Sequence, residues 1–295
     1  MAREIRGAPI ARELTDELAE RALRLRDTGT VPRLVIVRAG ENPDDLSYER
    51  AAQKRAEKVG VDVSVRAFPA TVATDELLDE IERINGDPLA DGCLVLRPLP
   101  DGVDERAVSR SLACEKDVDG MTPGSLATVF SGDGDGFAPC TAEAVIEVLV
   151  RSGISLSGAR VAVVGRSLVI GRPVAALLTA HDATVTLCHT KTRELERVCR
   201  ESDVVVACAG RPRVIRADFA SPGQTIVDVG INWDAAEGRL VGDVDFDEVE
   251  SIVDAITPVP GGVGSVTTAI LMKHVVEAAE RRASRVQDRM PQRVR

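Results

Sequence analysis

"GARVAVVGRSLVIGRPVAALLTAHDATVTLCH", residues 158–189, contains a complete strand, helix and strand pattern. An apolar strand leads into a glycine turn, a helix with Pro173 in its first turn follows, and a second apolar strand ends the stretch. A crossover helix of this kind joins two parallel strands of one sheet. The stretch therefore predicts an α/β fold built on a parallel sheet.

Helix-like and strand-like segments alternate on both sides of this stretch, which favours helices packed around a mostly parallel sheet. The predicted helices lie near residues 9–27, around Tyr48, at 74–84, after Thr141 and after residue 267, and the further predicted strands are 33–40, 62–68, 92–98, 203–210 and 224–232. The segment "SGDGDGFAPC", residues 131–140, interrupts the alternation and marks a boundary or an exposed loop. We therefore predict two α/β domains.

Composition and charge limit the possible partners. With 295 residues, 44% of them hydrophobic, the chain can bury a large core. Its net charge of -10, without a basic stripe, argues against a nucleic-acid or membrane-surface binder. The N-terminus enters a helical pattern without an apolar signal core, and no apolar run is long enough to span a bilayer. We expect a cytoplasmic protein with no nucleic-acid or membrane partner.

The cysteines and histidines predict no metal site. The six cysteines include no C-x-x-C pair, and the three histidines form no ligand cluster. We expect reduced thiols and no bound metal.

The turn "GRSLVIG", residues 165–171, predicts an anion site. It lacks the G-x-G-x-x-G pattern, but an apolar strand precedes it and a helix N-terminus follows, where free N–H groups face an anion. A dinucleotide pyrophosphate is favoured there over a purely structural turn.

The end of the second strand indicates which dinucleotide binds. In NAD-binding folds an Asp or Glu about 20 residues after the glycine turn binds the ribose 2′-OH. Here His189, Thr190 and Lys191 occupy that place, without a carboxylate. Together with Arg166 they suit a 2′-phosphate, so we predict NADP rather than NAD. The alternative is that Arg166 and Lys191 are two solvated surface charges.

Short motifs along nearly the whole chain resemble one known family. They are "SYERAAQKRAEKVG", "LVLRPLP", "CEKDVDGM", "APCT", "VVGRSLVIGRP", "ATVTLCHTKT", "DVGIN", "VGDVDF" and "ITPVPGGVG". In this order and spacing they resemble the methylenetetrahydrofolate dehydrogenase/cyclohydrolase family of folate one-carbon enzymes. The resemblance implies tetrahydrofolate one-carbon derivatives as substrates, NADP as cofactor and a homodimer. It also implies a role in purine, histidine and methionine biosynthesis.

The resemblance also implies a domain arrangement. Residues 1–143 would form the folate-binding domain, completed by a C-terminal helix at about 268–285, and residues 144–267 a Rossmann-like NADP-binding domain. The active-site cleft would lie between the two. Residues 286–295 carry no periodic apolar face, so we expect a disordered tail there.

The same resemblance assigns the substrate site and names Tyr48 and Asp119 as catalytic residues. A lone helical tyrosine is more often a packing residue, but Tyr48 matches the tyrosine that lies against the folate ring system. Asp119 matches the carboxylate that binds the pterin, and a carboxylate can accept two hydrogen bonds from an amino-pyrimidinone edge. Pro260, Gly261 and Gly262 would border the substrate through their backbone.

The resemblance assigns cofactor contacts to the second domain. These positions are Gly165, Arg166, Ser167 and Ile231, and Thr190 and Lys191 join them from the 2′-phosphate argument above.

The chain departs from the family pattern at its catalytic pair. The family's catalytic lysine follows the tyrosine by four residues, where this chain has Ala52, and Leu96 stands where the family has the glutamine that works with it. Lys54 points about 200° around the helix from position 52 and should not substitute. Ser265 and Val266 also stand where the family usually has Pro-Met.

These losses should affect one activity more than the other. Hydride transfer from 5,10-methylenetetrahydrofolate to NADP needs positioning rather than a protein acid or base. Hydrolysis of the methenyl product needs proton transfers, and positioned acid-base groups supply about 10²- to 10⁴-fold. The adjacent Arg97 stays protonated and is a poor base. We therefore expect a dehydrogenase whose cyclohydrolase activity is weak or absent.

Two alternatives stay open at this point. One is another NAD(P)-dependent dehydrogenase of shikimate or amino-acid type, which would explain the glycine turn but not Tyr48, Asp119 and "PVPGGVG" together. The other is a non-catalytic folate- or nucleotide-binding protein, although a pure folate binder would have no need of the intact cofactor loop.

Overall fold

The computed structural model describes the backbone of residues 1–289 and the side chains of residues 1–285. The chain divides into two compact units. The six-stranded unit comprises Met1–Arg12 and Pro139–Thr267, and the three-stranded unit comprises Glu13–Ala138 and the chain from Thr268 onward. Each unit contains a parallel sheet flanked by helices, which confirms the predicted α/β class.

Helices and strands alternate along most of the described chain. The strands, numbered in chain order, are β1 (Arg3–Glu4), β2 (Arg33–Ala39), β3 (Asp62–Phe68), β4 (Gly92–Val95), β5 (Arg160–Val164), β6 (Thr184–Cys188), β7 (Val204–Ala207), β8 (Thr225–Asp228), β9 (Asn232–Asp234), β10 (Arg239–Val241) and β11 (Ala255–Ile256). The helices are α1 (Gly7–Asp27), α2 (Pro43–Val59), α3 (Thr74–Gly86), α4 (Glu105–Ser111), α5 (Pro123–Ser131), α6 (Cys140–Arg151), α7 (Gly171–Ala180), α8 (Leu195–Arg200), α9 (Phe246–Val249) and α10 (Thr267–Arg289).

The sheet of the three-stranded unit has parallel strands in the order β3-β2-β4. The apolar run "LVIV" of the central strand β2 is buried along its whole length. A strand covered on both faces is typically a continuous apolar run, and this one fits that rule. Leu77 and Ile81 of α3 are fully buried against Val35 and Val37 of β2. This packing fixes the helices around the sheet.

Helix α2 has clear start and stop signals. Asn42 accepts a hydrogen bond from the backbone N–H of Asp44 at 3.0 Å, and Pro43 occupies the first turn, where its missing N–H has no cost. Gly60 ends the helix in the left-handed region, at φ 90°. The orientation of the residues between these signals, including Tyr48, is therefore set by a well-defined helix.

The sheet of the six-stranded unit has the order β1-β11-β8-β7-β5-β6, with every neighbouring pair parallel. The middle strands β7 and β8 are buried throughout. Because the strands are parallel, the loops after β5, β6, β7 and β8 leave the sheet from one edge. Ligands of open α/β sheets bind at this carboxyl edge.

A small antiparallel hairpin, β9 and β10, is attached to this unit. Trp233 of β9 lies directly opposite Leu240 of β10, and both are exposed. Neither strand was predicted, because each is three residues long and carries polar neighbours.

The structure differs from the predicted domain division at the N-terminus. Residues 1–12 belong to the six-stranded unit, because β1 pairs in parallel with β11 through Arg3 and Ala255. A two-residue polar strand has no periodicity that would reveal this pairing. Strand β4 ends at Val95 rather than at residue 98, since Pro98 has no N–H to continue the ladder.

The C-terminal helix is longer than predicted. Helix α10 continues to Arg289 instead of ending near residue 285. The rest of the predicted disordered tail, residues 290–295, lies outside the described residues.

Candidate active site

The glycine turn after β5 has a geometry that only glycine permits. Gly165 has φ 140°, and a Cβ atom there would overlap the carbonyl oxygen of Cys208. A Cβ atom on Gly171, the first residue of α7, would overlap the carbonyl oxygen of Gly165. The turn is thus a close-packed backbone segment in which neither glycine has room for a side chain.

The residues between these glycines lie at the surface. Arg166 and Ser167 are exposed, and the Ser167 Oγ accepts hydrogen bonds from the N–H groups of Ile170 at 3.1 Å and Gly171 at 3.4 Å. The Arg172 Nε donates to the carbonyl oxygen of Arg166 at 3.2 Å, which ties the loop to the helix. The N–H groups of Ile170 and Gly171 are therefore occupied within the turn, whereas the sequence predicted free N–H groups at this helix N-terminus.

The turn after β6 lies beside the glycine turn. The Gly165 N–H donates to the carbonyl oxygen of Cys188, the last residue of β6, at 3.0 Å. Thr190 and Lys191, two residues further on, are exposed. The Lys191 N–H donates to His189 Nδ1 at 3.0 Å, so the turn is internally hydrogen-bonded. The structure thus brings the predicted 2′-phosphate residues next to the predicted pyrophosphate turn, which fits NADP.

The loops after β8 and β11 line a common cavity. Ile231 is 65% exposed and lies in this cavity with the predicted residues Pro260, Gly261 and Gly262. A Cβ atom on Gly262 would approach the carbonyl oxygen of Pro258 to 2.5 Å, so the "PVPGG" backbone is tightly folded. These residues therefore line one cavity, and their contact with a ligand stays a prediction.

Two buried carboxylates at the same edge were missed by the sequence analysis. Asp228 and Asp243 are 4% and 0% exposed. Burial raises the pKa of Asp228 to about 7, against the opposing effect of three backbone N–H donors, and the nearby Asp243 raises it further. The signal that could have revealed them is the repeated Asp and Gly of "DVGIN" and "VGDVD".

In the three-stranded unit, Tyr48 lies on α2 and is half-buried. Ala52, one turn further along, is fully buried at 0% exposure, on the same helix face as Ala56 and Val59. Lys54 is exposed. Lys58, the other lysine of the motif, is also exposed, so neither lysine lies on the buried face at position 52.

The buried face of α2 also carries an ion pair that was not predicted. The Arg38 Nε, at the end of β2, donates to the Glu49 Oε2 at 2.8 Å, and each side chain is 12% exposed. Asp45, one turn earlier, is buried, and desolvation is the main cause that raises its pKa. A charged side chain in mid-helix gives no sequence signal that separates a buried pair from a solvated surface.

Asp119 has an arginine beside it. The Arg97 Nη2 lies 3.3 Å from the Asp119 Oδ2, and its Nη1 lies 3.9 Å from the Glu105 Oε1. The Arg97 Nε is buried and has no hydrogen-bond partner among the described residues. Leu96, the preceding residue, is 5% exposed. Arg97 therefore neutralises the carboxylate predicted to bind the pterin.

All six cysteines are free thiols. Burial raises the pKa of Cys199 and Cys208 to about 12, which keeps these two thiols protonated. Within residues 1–289, no group of three or more His, Cys, Asp or Glu side chains could hold a metal ion. None of the helices described there has the length and apolar character needed to cross a bilayer.

Two family models match the chain. The model of the catalytic domain of tetrahydrofolate dehydrogenase/cyclohydrolase matches residues 5–119, and the model of its NAD(P)-binding domain matches residues 139–283. The chain belongs to the tetrahydrofolate dehydrogenase/cyclohydrolase family. This confirms the resemblance inferred from the sequence motifs.

Relatives in the family cover almost the whole chain. The bifunctional protein FolD of Carboxydothermus hydrogenoformans is 47% identical over 281 residues, which are 95% of this chain and 98% of the relative. The bifunctional protein FolD of Clostridioides difficile is 45% identical, over 94% of this chain and 96% of the relative.

Solved structures of the family have the same fold. FolD from Campylobacter jejuni aligns with a TM-score of 0.91 at 35% identity, over 96% of this chain and 100% of that one. The Trypanosoma brucei enzyme, complexed with NADP cofactor and inhibitor, aligns with a TM-score of 0.87 at 36% identity, over 95% of this chain and 98% of that one. Together with the NAD(P)-binding domain, this supports NADP as the cofactor.

The shikimate-type alternative shares only the fold. Shikimate dehydrogenase from Aquifex aeolicus aligns with a TM-score of 0.50 at 14% identity, over 85% of this chain. The comparisons therefore favour the folate enzymes over this alternative.

Proposed function

We propose that this chain is an NADP-dependent 5,10-methylenetetrahydrofolate dehydrogenase with weak or no methenyltetrahydrofolate cyclohydrolase activity. The observation that carries the second part is Ala52. It is fully buried on the Tyr48 helix, at the position where the family resemblance implies the catalytic lysine. Its relatives are named bifunctional, so this restriction separates the chain from them.

The six-stranded unit would hold the cofactor. The close-packed backbone of Gly165 to Ser167 suits the pyrophosphate. Arg166, Thr190 and Lys191 suit the 2′-phosphate, because their charged and hydroxyl groups can bind its oxygens. When bound, NADP supplies the hydride acceptor. Ile231 and the "PVPGG" backbone would orient the nicotinamide and border the substrate.

The three-stranded unit would bind the folate. The half-buried ring of Tyr48 offers a flat surface for the pterin. Asp119 would accept hydrogen bonds from the amino-pyrimidinone edge, and Arg97, at 3.3 Å, would hold one of its oxygens in place. These contacts position the one-carbon bridge, which is the main requirement for hydride transfer.

The proton-transfer groups that hydrolysis needs are missing at positions 52 and 96. Ala52 and Leu96 carry no ionisable or polar side-chain atom, and Lys54 is exposed on another face of α2. A guanidinium is a poor general base, so Arg97 is not expected to accept a proton from water. The rate of methenyl hydrolysis should therefore stay close to that in buffer.

A homodimer and a cytoplasmic location are also part of the proposal, as the resemblance and the composition imply. Sedimentation velocity of the purified chain tests the homodimer. A monomer at assay concentrations would contradict it.

The cofactor assignment is tested by steady-state kinetics with NADP and NAD. For the Lys191→Ala variant we expect a several-fold higher KM for NADP and an unchanged KM for NAD, because only NADP carries the 2′-phosphate. Arg216→Ala removes another exposed cation of the same unit and serves as the control. Equal effects of Lys191→Ala on both cofactors would contradict the assignment. Tight binding of NADP and tetrahydrofolate without turnover would instead support the non-catalytic alternative.

A further inference from the structure

Asp228 and Asp243 are buried carboxyl groups whose hydrogen bonds, among the described residues, include no cationic side chain. Buried carboxylates are rare unless they are paired. Here backbone and amide N–H groups satisfy them, so each carboxylate holds several chain segments at once.

Asp228, the last residue of β8, accepts three backbone hydrogen bonds. Its Oδ1 accepts from the N–H groups of Gly230 at 2.9 Å and Asp243 at 3.0 Å, and its Oδ2 accepts from Val244 at 2.9 Å. Its own N–H donates to the Thr257 Oγ1 at 2.7 Å. One residue thus links the ends of β8, β10 and β11.

Asp243 extends this network to β7. Its Oδ2 accepts from the Gly210 N–H at 2.8 Å, and its Oδ1 accepts from the Arg211 N–H at 3.0 Å and the Asn232 Nδ2 at 2.9 Å. Asn232 directly follows Ile231, which lines the proposed nicotinamide cavity.

The adjacent glycines are required by these carboxylates. A Cβ atom on Gly230 would overlap the Asp243 Oδ1, and a Cβ atom on Gly242 would overlap the Asp228 Oδ2. The segment 229–232 is therefore pressed against two fixed carboxylates. The residues on both sides of Ile231 donate hydrogen bonds to these carboxylates, Gly230 to Asp228 and Asn232 to Asp243.

We propose that Asp228 and Asp243 are positioning residues for hydride transfer, which fix the backbone on both sides of Ile231 and so set where the nicotinamide lies. The inference rests on the proposed dehydrogenase function and adds a cause for its geometry. Neither carboxylate is assigned a role as acid, base or ligand.

The main variant is Asp243→Asn. It replaces one accepting carboxylate oxygen with an amide NH2 group, which cannot accept a hydrogen bond from the facing N–H donor. The second variant is Asn232→Ala, which removes one link to Asp243 and leaves both carboxylates with their backbone partners. Asp203→Asn is the matched control, because Asp203 accepts from the Arg160 N–H at 2.7 Å at the opposite, amino edge of the same sheet.

For Asp243→Asn we expect kcat to fall about 10- to 100-fold, since a misplacement of about 1 Å can cost 10²-fold. For Asn232→Ala we expect a smaller loss in the same direction. The primary deuterium isotope effect with bridge-deuterated substrate should rise in both, because hydride transfer becomes slower. The dissociation constant of NADP should change much less, since the phosphates are held at residues 165–167. The control should match the parent protein.

Hydrogen exchange provides a readout that does not depend on activity. Residues 208–213 should exchange faster in Asp243→Asn than in the parent protein and the control. Parent-like kcat, isotope effect and exchange in a folded Asp243→Asn would overturn the inference. If Asp243→Asn does not fold, a parent-like kcat and isotope effect in Asn232→Ala would overturn it. An inactive parent protein would instead overturn the proposed function, while the exchange comparison would still decide whether the network holds the loops.

Discussion

The two units differ in how far they contain the residues that the family resemblance assigns to them. In the six-stranded unit the residues assigned to ligand contacts are present, although Ser265 and Val266 replace the family's Pro-Met, and the turn at Gly165 has a shape that only glycine allows. In the three-stranded unit Tyr48 and Asp119 are present, but Ala52 and Leu96 occupy the catalytic pair. Hydride transfer depends mainly on position and hydrolysis on proton transfer. The contrast between the units therefore predicts a contrast between two activities.

The strongest challenge to this contrast is to restore the missing pair. In an Ala52→Lys, Leu96→Gln double variant we expect methenyl hydrolysis to rise by about 10²- to 10⁴-fold, the usual contribution of positioned acid-base groups. Dehydrogenase activity should change little. Because both positions are buried, the lysine should also lower the melting temperature.

The control for the restored pair is Ala52→Met, Leu96→Met, which adds apolar side chains of similar length at the same sites. It should gain no hydrolysis. If the lysine and glutamine variant folds and also gains none, the loss of activity does not come from these two residues.

The six-stranded unit can be tested at its turn. Gly165→Ala places a Cβ atom against the Cys208 carbonyl at φ 140°. Backbone strain of about 1–3 kcal/mol corresponds to roughly 10- to 100-fold weaker NADP binding. Gly158→Ala is the matched control, because Gly158 also has positive φ, at 77°, but nothing lies near its Cβ position. It should lose stability and keep its affinity for NADP, as measured by titration calorimetry. Equal losses of affinity in both variants would contradict the claim that the close packing at Gly165 is needed for NADP binding.

A substitution of Arg97 tests whether this residue has taken over the role of the missing lysine and glutamine. In Arg97→Leu we expect no change in methenyl hydrolysis, because a protonated guanidinium is not the base. The KM for the folate should rise about 2- to 10-fold, from the ~0.5–1.5 kcal/mol of one hydrogen bond to Asp119. Arg106→Leu, an exposed arginine on α4, is the control. A fall of hydrolysis to the buffer rate only in Arg97→Leu would show that Arg97 has taken over the reaction.

A pH dependence of the free energy of unfolding originates in the six-stranded unit. Burial raises the pKa of Asp228 from 3.8 to about 7. The unfolded chain therefore loses this proton first, and the free energy of unfolding should fall as the pH rises from 3.8 towards about 7. Above that range the contribution is constant. Urea unfolding at several pH values should show this slope in the parent protein and in Asp203→Asn, and a smaller slope in Asp228→Asn. Equal slopes in all three would contradict the assignment.

Much of the fold was predictable because the middle strands are long and apolar. "LVIV" in β2 and "VAVV" in β5 are buried runs of the kind that parallel sheets require. The short strands β1, β9, β10 and β11 were not predicted, because two or three residues carry no periodicity. The place of residues 1–12 in the six-stranded unit depends on the pairing of β1 with β11, which only the folded chain reveals.

The candidate site was predictable where function and local structure coincide. Gly165 and Lys191 follow directly from a turn after one strand and the end of the next. The ion pairs of Arg38 with Glu49 and of Arg97 with Asp119 were not predicted, since their partners come from different elements. Asp228 and Asp243 were missed for a related reason, because their partners are backbone N–H groups, which the sequence does not distinguish.

The most direct test of the contrast is a pair of assays on one preparation of the purified chain. The first measures NADP reduction with 5,10-methylenetetrahydrofolate, and the second measures the decay of methenyltetrahydrofolate against the buffer background. We predict clear NADP reduction and methenyl decay at the buffer rate. Methenyl decay well above the buffer rate in a preparation that also reduces NADP would contradict the account.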